Sequence, residues 1–174
     1  MAPGRREALV LGAIGLGAAA LGGIVGAFAL QARSGAAGLL GAHFLDLAGR
    51  PRRLLEWQGA ILVINFWATW CAPCREEIPM LVAASQHYRS NGVEIVGIGI
   101  DNADNVLQFA RTYAVAYPLL IADAKAIDLM RGLGNAPGGL PFTVVLDRRG
   151  VVTYHKLGAL SRPELDRVLV GMLL

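Results

Sequence analysis

A chain of 174 residues has room for one ordinary domain with a sizeable core, and a formal net charge of +3 is too small to mark a nucleic-acid binder. Arg5, Arg6 and Arg33 against Glu7 put +2 of that charge before residue 41, leaving only +1 for everything after it. Two cysteines, three positions apart, exclude a disulfide-stapled scaffold, which needs several spaced pairs.

The mean hydropathy of +0.49 is unevenly spread, because residues 8–30 carry no charge at all. At 1.5 Å per residue this run makes a helix of about 35 Å, enough for the roughly 30 Å hydrocarbon core of a bilayer. Arg5 and Arg6 just before it favour a cytoplasmic N-terminus and an exported domain. We therefore expect a cytoplasmic tail (1–7), a single-pass signal anchor in a bacterial inner membrane (8–30), a flexible linker (31–42) and a domain (43–174) on the periplasmic side. Ala27-Phe28-Ala29 resembles a cleavage site and Arg5-Arg6 a twin-arginine signal. Both alternatives also export the domain.

Residues 43–47 read as a short strand, followed by a basic turn through Gly49-Arg50-Pro51. The apolar, β-branched run 61–67 suits a strand covered on both faces. A helix is expected from Ala72 to about Tyr88, with Ile78, Leu81, Val82 and Ser85 at helical spacing and Asn91-Gly92 closing it. A second buried strand (93–100) precedes a helix over 104–114, with Val106, Ala110 and Tyr113 on one face. Residues 117–121 read as extended, 124–132 as a short helix, and Gly132 to Pro141 as a loop. Residues 142–147 and 151–156 flank Arg148-Arg149-Gly150 as a hairpin. Ser161 caps a last helix whose stripe is Leu165, Val168, Leu169 and Met172. This order predicts an α/β three-layer sandwich on a mixed sheet.

The chemistry centres on Trp70-Cys71-Ala72-Pro73-Cys74. A zinc site needs four ligands, and only the scattered His43, His87 and His155 remain to join the cysteines. Haem attachment needs a histidine at position 75, which is arginine. A purely structural disulfide closing so short a loop gains little. Thiol–disulfide exchange fits best: the pair follows a buried strand and opens a helix, where backbone N–H groups and the helix dipole favour a Cys71 thiolate. Pro73, in the first turn, costs no helical hydrogen bond. Glu77, one turn past Cys74 on the same face, is the candidate proton acceptor for that thiol, whereas Glu76 points elsewhere.

The segment FWATWCAPCREEIP resembles the active-site segment of the TlpA/ResA-type thiol–disulfide oxidoreductases, a membrane-anchored branch of the thioredoxin family. Leu140-Pro141-Phe142-Thr143 matches that family's cis-proline loop. The resemblance spans most of residues 43–174 and implies a thioredoxin-like fold. It also implies a cis bond before Pro141, a proton-handling role for Glu77, and no cofactor beyond the Cys71–Cys74 disulfide. Trp70, Pro73 and Leu140 fall on the implied substrate face, and Trp67 is expected to frame the site or pack beneath it. Cytoplasmic thioredoxins carry a buried aspartate where this chain has Asn65, which makes Glu77 more necessary. The family implies a reductase that takes electrons from a membrane thiol donor and passes them to disulfides of exported proteins, often apocytochromes c. An oxidase or isomerase on the same fold, a copper chaperone and a peroxidase are the competing readings. The last lacks its Thr-x-x-Cys pattern.

Overall fold

The computed structural model describes residues 35–173. The expected membrane span at 8–30 lies outside them, and among the described residues no helix is long and apolar enough to cross a membrane. Residues 35–41 (α1) are helical rather than part of a flexible linker. Ala36 and Leu39, one turn apart, are buried against the domain, and that burial offsets the entropic cost of ordering the neighbouring glycines.

Seven strands follow: β1 (His43–Asp46), β2 (Pro51–Arg53), β3 (Ile61–Trp67), β4 (Val93–Gly99), β5 (Leu119–Ile121), β6 (Phe142–Leu146) and β7 (Val152–Leu157). They form one mixed sheet in the order β2-β1-β5-β4-β3-β6-β7. β3 pairs parallel with β4 and antiparallel with β6, so both its edges are used. All seven of its side chains are buried, as a strand covered on two faces requires. The expected basic turn before residue 54 is tighter than the sequence suggested. Pro51 starts edge strand β2, a position where its missing N–H is tolerated.

Four further helices complete the layers: α2 (Ala72–Tyr88), α3 (Ala103–Thr112), α4 (Ala126–Gly132) and α5 (Arg162–Leu173). Ile61, Val63 and Trp67 of β3 pack with residues of α2, α3 and α5, while Leu62, Ile64 and Phe66 pack with α1 and α4. The alternation of strand side chains thus divides the core into two slabs.

The buried stripe of α2 is Cys74, Glu77, Ile78, Leu81, Ala84 and Tyr88, with Val82 and Ser85 on its flank. Pro79 lies inside this helix, which survives the lost hydrogen bond through the burial on either side of it. Gly92 then adopts φ 77° and turns the chain into β4. In α3 Phe109, not Tyr113, joins Val106 in the core. The site lies where β3 ends and α2 begins, beside the loop that leads into β6.

Candidate active site

The peptide N–H of Cys71 donates to the Ala68 carbonyl (3.2 Å), which closes the turn after β3. Cys71 then caps α2: its Sγ accepts from the Cys74 N–H at 3.3 Å, with Pro73 in the first turn. Cys71 and Cys74 are joined as a disulfide. Their access differs: Cys71 keeps 7% of its surface exposed, and Cys74 keeps none. A sulfur at the cap of a helix faces orphan N–H donors and the positive end of the dipole, both of which stabilise a thiolate once the bond is reduced.

Cys71 opens on a cleft of about 440 Å³ whose walls include Trp70, Pro73, Ile100, Ile127 and Leu140. Trp70 is 69% exposed, an unusual state for so large an apolar side chain. The Leu140–Pro141 bond is cis, as the resemblance implied. The loop leading to it is held by the buried Asn135, whose side chain accepts from the Gly139 N–H (3.1 Å) and donates to its carbonyl (2.8 Å). On the other side of the cysteine turn, the Thr69 hydroxyl donates to Asp101. Partial burial works against the Asp101 charge, but hydrogen bonds from Thr69, Asn105 and Asn102 outweigh it and hold the carboxyl below its usual range.

Glu77 is turned into the protein, with 4% of its surface exposed, whereas Glu76 is in solvent. Its Oε1 accepts from Asn65 Nδ2 (2.7 Å), and its Oε2 accepts from the Leu160 N–H (2.7 Å). Asn65 uses its second amide hydrogen on Thr143 Oγ1 (3.0 Å), and its own oxygen has no partner among the described residues. Burial pushes the Glu77 carboxyl up, against the opposing effects of the Leu160 N–H, the Asn65 amide and the Lys156 charge. Tyr117, also buried, is pushed up by its own desolvation and further by the Glu77 charge.

The structure brings Cys71, Trp70, Pro73 and Leu140 to one cleft, seals Cys74 beneath it and places Glu77 behind, one helical turn from Cys74. Trp67 is fully buried beneath the site rather than part of its rim. Trp57 lies apart, with the Arg52 guanidinium over its ring. Sequence reasoning missed Ile100, Ile127, Asn135 and the Thr69–Asp101 bond. An asparagine next to the loop glycines was the only local sign of any of these.

The redoxin family profile matches residues 41–169. The chain belongs to this family. It is 30% identical over 125 residues to the thiol-disulfide oxidoreductase ResA of Geobacillus thermodenitrificans, covering 71% of this chain and 70% of that one. It is 31% identical over 127 residues to the thioredoxin-like protein YneN of Bacillus subtilis, covering 71% of each. A solved thiol:disulfide interchange protein of the thioredoxin family from Chlorobium tepidum superimposes with a TM-score of 0.68 at 30% identity, over 76% of this chain and 93% of that one. The fold is thioredoxin-like, and the chain is a thiol–disulfide oxidoreductase whose redox group is its own cysteine pair. Thiol–disulfide oxidoreductase chemistry implies disulfide-containing substrates.

Proposed function

We propose that this protein reduces disulfides of exported proteins, held at the membrane by residues 8–30 with its domain on the extracytoplasmic side. The observation that supports reduction is the carboxylate of Glu77, one turn from Cys74 and out of water. A strong disulfide oxidant depends on a stabilised thiolate, and a buried carboxyl that is anionic whenever it serves as the acceptor beside the pair opposes that stabilisation. The reading thus favours a potential near the reducing end, about −270 mV, over the oxidising end near −120 mV. Equilibration with glutathione of known poise measures it, and a value close to the oxidising end would convert the assignment to oxidase or isomerase.

In the forward reaction the Cys71 thiolate attacks a substrate disulfide, forms a mixed disulfide and expels the first substrate sulfur. Cys74 then gives its proton to Glu77, and its sulfur bonds to Cys71 Sγ. The Cys71–substrate bond breaks, and the second substrate sulfur leaves as a thiolate. Two electrons have passed from the pair to the substrate, and a membrane thiol donor restores them. Trp70, Pro73 and Leu140 line the surface that meets the substrate polypeptide, and Pro141 keeps the role the family resemblance gives it. Apocytochromes c fit as substrates by that resemblance alone.

Glu77 serves this scheme only as the carboxylate, so resolution speeds up as pH rises through its elevated value. Glu77→Gln is expected to remove that acid limb and slow resolution by about 10²-fold at neutral pH. Stopped-flow release of thionitrobenzoate from a Cys71 adduct reads both effects. An unchanged profile would remove the role.

A further inference from the structure

The geometry points to Lys156 as a positioning residue for the proton on Glu77, its ammonium stabilising the carboxylate that accepts from Cys74. This rests on the assignment of Glu77 as that acceptor.

The placement follows from strand register. Asn65 on β3 lies opposite Thr143 on β6, and Thr143 lies opposite Lys156 on β7. Residues directly opposite one another share a face of the sheet. Asn65 donates to Glu77, so Lys156 stands on the same face, two strands along in the same cross-strand row. A second observation comes from the turn between β7 and α5. The Leu160 N–H donates to Glu77 and the next N–H, that of Ser161, donates to Glu164 (3.1 Å), whose other oxygen takes the Lys156 ammonium. Two carboxylates hung on consecutive peptide groups repel each other, and the ammonium relieves that repulsion.

The other groups around Glu77 cannot substitute for it. Asn65 and Thr143 are neutral, Cys74 on the same helix is the proton donor, and the Tyr117 hydroxyl, from the segment before β5, is held in its neutral form. Glu164 from α5 carries the wrong sign. It serves to fix the lysine: the Lys156, Ser161 hydroxyl and Ser161 N–H contacts draw its own carboxyl down to about 2. Lys156 is partly exposed, so its effect on Glu77 is moderate and weakens with salt.

Removing the charge leaves Glu77 protonated to higher pH, so less of it is ready for Cys74. In the full-length protein, Lys156→Met is expected to move the acid limb of resolution to higher pH and to slow thionitrobenzoate release from a Cys71 adduct by about three- to tenfold at pH 7. Lys156→Arg, which keeps the charge, is expected to restore both. Near-UV circular dichroism verifies that each variant is folded. The ¹³C titration of the Glu77 carboxyl reads the same effect without catalysis, and its midpoint should rise in Lys156→Met. A midpoint that stays in place, or falls, overturns the inference. A raised midpoint with an unchanged resolution rate would uphold the influence of Lys156 and instead strike down the role of Glu77.

Discussion

Cys74→Ser protein mixed with an oxidised protein substrate is expected to accumulate a stable mixed disulfide on Cys71, while Cys71→Ser forms none. The asymmetry follows from access, since only Cys71 reaches the cleft and Cys74 is sealed beneath it. A hydroxyl at position 74 cannot displace the substrate sulfur, so the first covalent step occurs and the second does not. A hydroxyl at position 71 removes the nucleophile itself, and turnover should fall by at least about 10³-fold. Non-reducing gel electrophoresis followed by mass spectrometry identifies the captured chain and the cysteine that holds it. Trapping on Cys74 in Cys71→Ser with the same efficiency would reverse the two roles.

Trp67→Ala is expected to cost about 3–5 kcal/mol of stability, at the upper end for truncation of one core side chain. The indole is fully buried, its ring lies 4.8 Å from that of Phe109 (centroid to centroid), and its Nε1 comes within 3.1 Å of where a side chain on Gly97 would begin. That nitrogen has no hydrogen-bond partner among the described residues. The loss is therefore one of packing, and Trp67→Phe should recover more than half of it. Urea denaturation with the Cys71–Cys74 bond intact gives both values. A cost below about 1 kcal/mol for the alanine variant would mean that the surrounding side chains collapse into the space. Trp67 also ends β3 four residues before Cys71, so the same truncation loosens the floor of the site.

Much of the scaffold was legible because its signals are local. The apolar run at 61–67 and the Asn91-Gly92 stop gave β3 and the end of α2, and the cysteine spacing gave the reactive pair. Glu77 separated from Glu76 by helical spacing alone. Helical spacing sets Tyr113 on the core face of its helix and leaves Phe109 out, because residues three to four apart share one side of a helix. Their rings stack at 4.1 Å, and only the tertiary packing decides which is covered. The linker expectation misled over residues 35–41 because the small residues there hide Ala36 and Leu39, whose value appears only against α4 and the sheet. The carboxylate's environment was the least visible. Its donors lie on β3 and, 83 positions away, at a backbone N–H of Leu160, a group that no side-chain pattern reveals.

The sealed position of Cys74 has a consequence for traffic through the enzyme. Electrons that arrive and electrons that depart must use the same doorway at Cys71, so a donor protein and an acceptor protein cannot be docked at once. Under the proposed function the partners call in alternation, and ping-pong kinetics are expected, with a donor in excess competing against the very substrate it serves.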